Sequence, residues 1–307
     1  MRNARAVRPV CVLSIAGSDS GGGAGVQADL LTFAAHAVYG ATVVVAGTAQ
    51  NTRGVVSIEP FSPRFVSEQI NAVFSDLAPA AVKIGMLWDA RHVRAVAAGL
   101  RRHGAKNVVL DPVLVSTSGV SLLTAAGLRA LRRDLLPLSD LVTPNLDETA
   151  AIAGKSGRTD FDLRRAVEKI GGFGARAVLV TGGDAGGDRV RDLLWNGKDF
   201  RIYEHRRITT GATHGSGCTL SSAIAANLAR GYGLEAAVSL AIRYVTRTLR
   251  RGVFPGNGAG VPGRLPGALI PRGRTGSLAT SMRSRRSRSA RRRGRRRGRG
   301  RGSSPSP

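Results

Sequence analysis

The sequence predicts a single α/β domain built on a mainly parallel central sheet with helices on both faces. Three observations point there. Short β-rich runs alternate with longer helical patterns through the first 250 residues, the rhythm of repeated strand–helix–strand units. The apolar runs of the strand candidates are continuous rather than alternating, as in strands covered on both sides. A length of 307 residues with 42% hydrophobic and 21% charged residues allows a large core and excludes wholesale disorder.

Strands are expected over residues 10–17, 41–50, 81–85, 107–111, 141–144 and 177–183, where branched aliphatic residues cluster. Helices are expected between them, near 26–38, 63–77, 89–103, 124–136 and 161–170. Ser62 followed by Pro63 supplies an N-cap with proline at the first helical position. A polar hairpin over 193–208 should turn at Asn196-Gly197. Helices near 217–230 and 234–250 complete the domain, and no internal repeat is found.

Composition narrows the function. The two cysteines, Cys11 and Cys218, lie far apart in the chain, so neither a disulfide framework nor a four-thiolate zinc site can be built and a reducing cytoplasm fits best. No apolar run approaches the roughly 20 residues of a membrane span. The basic start leads into a short apolar run that reads as a strand, not a signal peptide. The net charge is +26, yet residues 271–307 alone hold fourteen arginines, no lysine and no acid. That low-complexity segment has almost nothing apolar to bury and is expected to be disordered. A nucleic acid is a candidate partner for it, disfavoured against a solvated extension because no aromatic residue is available for base stacking. Only five of the 46 basic residues are lysines, an imbalance that codon bias also produces. The expected organisation is a flexible N-terminus over 1–9, one folded domain over 10–260 and an arginine-rich tail over 261–307.

In such sheets ligands collect at the carboxyl ends of strands. The first strand runs into GSDSGGGAGVQAD (Gly17 to Asp29), with five glycines in nine residues, where backbone amides can approach a ligand at the start of a helix. A tight strand-to-helix turn explains the same glycines. The second strand ends in Thr48-Ala-Gln-Asn-Thr52, and the amide of Gln50 suits the edge of an aminopyrimidine or another heterocycle. Asp111 ends the fourth strand, and Asp147 and Glu148 follow the fifth. Asp111 and Glu148 are candidate Mg²⁺ ligands that would bridge phosphates, with helix capping the competing role for Asp147 and Glu148. The sharpest feature is Thr210-Gly-Ala-Thr-His-Gly-Ser-Gly-Cys-Thr-Leu220, which precedes an apolar run. Gly215 and Gly217 before a helix would aim free amides at an anion. The same field should favour a Cys218 thiolate able to accept a substrate proton. Apolar filler is the competing role for cysteine and suits Cys11; His214 is either a phosphate contact or a polar loop residue.

In this order, AGSDSGGGAGVQADL, AGTAQNTRGV, KIGML, VVLDPVLVSTSG, LVTPNLDE, VTGG and THGSGCTLSSAIAANLARG resemble the hydroxymethylpyrimidine/phosphomethylpyrimidine kinases of thiamin biosynthesis, a branch of the ribokinase-like superfamily. The resemblance spans about residues 10–250 and implies a three-layer ribokinase-like fold. It implies ATP with Mg²⁺, and phosphorylation first of 4-amino-5-hydroxymethyl-2-methylpyrimidine and then of its monophosphate. By resemblance Gly17, Asp19, Gly23, Ala24, Gln50, Met86 and Val113 line the pyrimidine pocket. Gly215, Ser216, Gly217 and Cys218 form the catalytic turn, with cysteine where most ribokinase-like kinases carry aspartate. Thr181, Gly182, Gly183 and His214 border the nucleotide, Asp111 and Glu148 the metal, and the resemblance implies a homodimer. Relatives end in a glycine-rich stretch leading to Gly-Pro. Here GNGAGVPGRLPGALIPRGR begins comparably and drifts into the arginine tail, so truncation near Gly260 is expected to leave folding intact. A pyridoxal/pyridoxine kinase is the nearest alternative, and a nucleic-acid-binding protein driven by the tail the alternative of another class.

Overall fold

The computed structural model describes residues 8–154, 159–183 and 185–264. Nine strands form one sheet in the order β3-β2-β1-β4-β5-β6-β7-β8-β9. The parallel centre holds β1 (Cys11–Asp19), β2 (Tyr39–Asn51), β4 (Ala81–Ile84), β5 (Val108–Leu110), β6 (Leu141–Val142) and β7 (Val178–Val180). At one edge β3 (Gly54–Pro60) runs antiparallel to β2; at the other, β8 (Arg189–Trp195) and β9 (Phe200–Arg206) form the hairpin beside β7. The hairpin turns at Asn196 as expected, with the Asn196 carboxamide oxygen accepting from the amides of Lys198 and Asp199 at 3.1 and 2.8 Å. Strand β3 was absent from the expected set. Its exposed residues carry no continuous apolar run, and its two-residue turn is Thr52-Arg53, not an Asn-Gly pair.

The continuous apolar strands have the predicted consequence. Successive residues of β1 enter opposite layers: Leu13 and Ile15 pack into one core and Val12 into the other. The first layer holds α2 (Pro63–Leu77), α3 (Ala90–His103), α4 (Ala125–Ala130), α5 (Leu146–Ala153) and α6 (Asp160–Gly172). The second holds α1 (Gly25–Ala35), α7 (Ser216–Ala229) and α8 (Leu234–Arg250). Helix α7 is buried without interruption from Thr219 to Asn227, so its apolar run has no polar face. Ser62 caps α2 from its side chain, followed by Pro63. The helix expected over 124–136 breaks earlier: α4 stops at Ala130 and passes through a π turn (Leu131–Leu135) and a 3₁₀ turn (Leu136–Leu138), where Pro137 cannot continue the ladder.

The ordered chain continues past the expected boundary at 260. The Val261 amide donates to Val253 and the Val253 amide to Val261, Ala259 donates to the Thr52 carbonyl, and Arg264 is buried. Residues 261–264 are therefore built into the fold, and the rest of the expected arginine tail, like residues 1–7 of the expected flexible N-terminus, lies outside the described residues. Among the described residues no helix is long and apolar enough to cross a membrane.

Candidate active site

The glycine-rich loop joining β1 to α1 is organised by its own acid. Asp19 accepts the amides of Gly21, Gly23 and Ala24 at 2.8, 3.0 and 2.8 Å. Burial works against its charge, but the His214 contact and these amides outweigh that and hold the carboxyl below its usual range. Three of the amides expected to face a ligand are thus spent within the loop, because a carboxylate two to five residues away reaches them first. Gly17 leaves room for Met86, whose sulfur lies 2.9 Å from where a Cβ would stand. Met86 shares a small apolar cluster with Val113, so these three candidates converge.

Gln50 and His214 meet across the sheet end. Gln50 Nε2 and Asp19 Oδ2 each lie 3.1 Å from His214 Nε2, and Thr117 Oγ1 lies 3.5 Å from Nδ1. The imidazole therefore belongs with the expected pyrimidine residues Gln50 and Asp19, although the sequence grouped it with Thr181, Gly182 and Gly183. The reason is topological, since the turn before α7 stands directly against the loop after β1. Both side chains line a cleft of about 320 Å³ whose walls include Thr52, Thr117, Gly258 and Ala259.

The turn before α7 has Gly215 as N-cap with φ +78°, a conformation that favours glycine. An added Cβ there would strike the Gly23 carbonyl, so the two glycine-rich segments touch backbone to backbone. The Ser216 amide turns back to the Thr213 carbonyl at 3.0 Å, which leaves Gly217 and Cys218 as the amides for an anion at the positive end of α7. Cys218 keeps a partly accessible surface. Burial pushes its thiol up to about 11, against the opposing pull of Lys83. The expected resting thiolate is overturned, because desolvation outweighs the helix field and the nearby ammonium.

Beneath the thiol lies a polar cluster that sequence reasoning missed. Lys83 Nζ is 2.9 Å from both carboxylate oxygens of Asp29, and both side chains are fully buried. Asp29 also accepts from Ser14 Oγ at 2.6 Å and Ser222 Oγ at 2.7 Å. Burial opposes the Lys83 charge, but Asp29, Cys218 and Asp111 override it and the ammonium is held above its usual range. The signal was a lysine inside the continuous apolar run of β4, which demands a buried partner. Asp111 is buried as well, accepts from Ser221 Oγ at 3.0 Å, and is displaced upward by desolvation despite Lys83.

Glu148 realises the capping role weighed for it. With Asn145 it forms a capping box at the start of α5, and its other oxygen lies 3.4 Å from the Leu114 amide. Among the described residues no three His, Cys, Asp or Glu side chains gather as a protein-only metal site. Asp111 and Glu148 carry the oxygen-donor chemistry of Mg²⁺, which takes one or two carboxylates and completes its shell with water and phosphate oxygens; Asp111 Oδ2 lies 3.9 Å from where a Cβ on Gly217 would stand. Thr181, Gly182 and Gly183 follow β7. Gly182 lies so close to the Arg191 carbonyl that a Cβ would collide, and its amide donates to Asp192 at 2.9 Å. Arg207 donates to the carbonyls of Gly183, Ala185 and Gly187.

Comparison with known proteins bears on the fold and the family. The hydroxymethylpyrimidine/phosphomethylpyrimidine kinase of Rhizobium meliloti (strain 1021) is 52% identical over 234 residues, covering 76% of this chain and 88% of that protein. The crystal structure of phosphomethylpyrimidine kinase from Clostridium difficile 630 superposes with a TM-score of 0.69 at 40% identity, covering 77% of this chain and 98% of that one. An ADP complex of Bacillus subtilis pyridoxal kinase gives 0.78 at 33% identity, covering 83% and 97%. Their shared fold is the expected α/β ribokinase-like one. The model of the phosphomethylpyrimidine kinase family matches residues 19–262, a span that takes in the turn before α7 and the loop after β1 from Asp19 onward, and the chain belongs to that family of kinases.

Proposed function

We propose that this protein transfers the γ-phosphoryl group of ATP to the hydroxymethyl group of 4-amino-5-hydroxymethyl-2-methylpyrimidine, and then phosphorylates the monophosphate to the diphosphate, in thiamin biosynthesis. The observation that carries the reading is the contact between two loops: the turn bearing free amides and Cys218 stands against the loop bearing the acceptor-side residues. Gln50 and His214 orient the heterocycle, and Met86 and Val113 form its apolar wall. The Gly217 and Cys218 amides receive the phosphoryl oxygens where charge develops. Cys218 takes the hydroxyl proton. The accepting form is the thiolate, reached when the thiol gives up its own proton to solvent; the raised proton affinity makes that form scarce but strongly basic, and the buried Lys83 ammonium stabilises it until it takes the hydroxyl proton. Asp111 and Glu148 would hold Mg²⁺, which when bound neutralises phosphate charge. Thr181, Gly182 and Gly183 would border the nucleotide. The kinase domain takes in residues 10–264; a cytoplasmic homodimer accords with the resemblance.

The likeness to a pyridoxal kinase gives a second acceptor to test. ATP consumption with hydroxymethylpyrimidine, its monophosphate and pyridoxal in parallel decides the matter. Turnover of both pyrimidines with product diphosphate identified by mass is expected, and turnover of pyridoxal alone would overturn the assignment.

A further inference from the structure

Arg264 is the one arginine among the described residues that is buried, with 5% of its surface exposed. Its partners are neutral. Nε donates to Thr219 Oγ1 at 2.7 Å, and Nη2 donates to the Gly23 carbonyl at 2.9 Å and the Gly215 carbonyl at 3.0 Å. Among the described residues no carboxylate stands within ion-pair distance of it. A guanidinium taken out of water with no counter-ion in contact carries a large desolvation penalty; Asp29 and Asp19 favour its charge from beyond ion-pair distance, and hydrogen bonds to carbonyls offset only part of the rest. Such a cation is kept where its geometry is needed and where an anion arrives during the working cycle.

The three acceptors explain what the geometry does. Gly23 belongs to the loop after β1 and Gly215 caps α7, so one nitrogen bridges the two glycine-rich segments. The Gly215 carbonyl also receives the Thr219 amide at 3.0 Å and the Thr219 hydroxyl at 2.7 Å. Thr219 in turn accepts from Arg264. The carbonyl at the base of the turn is thereby fixed from three sides, and the following amides of Gly217 and Cys218 have their direction set.

We propose that Arg264 is a positioning residue of the phosphoryl-transfer site: it clamps the glycine-rich loop to the turn before α7 and fixes the aim of the Gly217 and Cys218 amides and of the Cys218 sulfur. The inference rests on the proposed kinase reaction and adds to it a residue beyond the expected domain boundary. A planar fork is required, because a lysine ammonium is a point donor that cannot span Thr219 and both carbonyls in the same geometry.

The test uses the full-length protein with Arg264→Ala and Arg264→Lys, both checked for an unchanged melting profile. For Arg264→Ala the expected result is a kcat lower by about 100-fold, the cost of a small misplacement at a reacting centre, with KM for the pyrimidine changed by less than about threefold. Arg264→Lys keeps the charge and should recover no more than about a tenth of the lost rate. Amide hydrogen exchange over residues 21–25 and 215–219 should speed up in both variants while the rest of the sheet is unaffected. If Arg264→Ala does not fold, Arg264→Lys carries the same kinetic and exchange expectations. Wild-type kcat in a folded alanine variant, full rescue by lysine, or unchanged exchange in both segments would overturn the proposal. The exchange readout needs no substrate, so a wrong acceptor assignment, seen as an inactive wild type, is distinguishable from a failed clamp.

Discussion

Replacing Lys83 by methionine keeps the length of the side chain and deletes its charge from a fully buried site. Asp29 would then retain only the Ser14 and Ser222 hydroxyls as donors and lose both 2.9 Å contacts to the ammonium. Removing one partner of a buried pair costs about 3–5 kcal/mol because the other charge is stranded, a large share of the about 5–15 kcal/mol that holds a domain folded. Asp29→Leu should cost a similar amount, since it strands the ammonium. The double variant removes both charges and orphans two serine hydroxyls at about 1 kcal/mol each, so it should lose about 2 kcal/mol and be more stable than either single variant. Urea denaturation of the four proteins followed by circular dichroism measures these losses. If the two single losses simply add in the double variant, the pair is not coupled as its geometry demands and the argument fails.

Cys218→Ala should lower kcat by at least about 100-fold with little change in ATP affinity, and unchanged turnover would remove the residue from the mechanism. With the thiol at about 11 in the folded chain against an ordinary 9.0, the folded state holds this proton more tightly. The stability it contributes is complete below pH 9 and disappears as pH climbs towards 11, a loss of ~3 kcal/mol measurable as a shrinking gap between wild type and Cys218→Ala in alkaline melts. Asp19 behaves oppositely: its lowered value contributes stability present above about pH 4 and lost on acidification. Asp19→Ala should therefore flatten the acid side of the melting profile and raise KM for the pyrimidine as three loop amides lose their acceptor. Gly182→Ala, which drives a methyl group into the Arg191 carbonyl, should lower the melting temperature by several degrees, or the closeness of β7 and β8 at that point is misjudged.

Much of this molecule was legible in its residues. Unbroken aliphatic runs foretold buried parallel strands, Ser62-Pro63 marked the start of α2, and Asn196-Gly197 marked the hairpin turn. The turn before α7 announced itself by glycines ahead of an apolar run. What stayed hidden depended on the conformation of loops and on contacts between distant segments. The Ser216 amide proved occupied because Thr213 lies beneath it, and the loop amides after β1 proved occupied because Asp19 folds back on them. The Cys218 thiol was expected to ionise from the field of α7 alone; its desolvation by the surrounding fold, which no local pattern encodes, reversed that. Strand β3 escaped because an exposed edge strand needs no apolar run, and Arg264 escaped because the glycine- and proline-rich run around it, leading on to the arginine-rich tail, carries no core pattern.

The separation along the chain of the groups that meet at the cleft has a consequence for biogenesis. His214 reaches Asp19 across 195 positions and Arg264 reaches Gly23 across 241. On the ribosome, early segments can pair β1 with β2 and β4 long before either of those bridges has its second end. A nascent chain can therefore pair its early strands first and gains chemical competence last, and a polypeptide released before α7 and α8 would leave bare the sheet face that those helices cover.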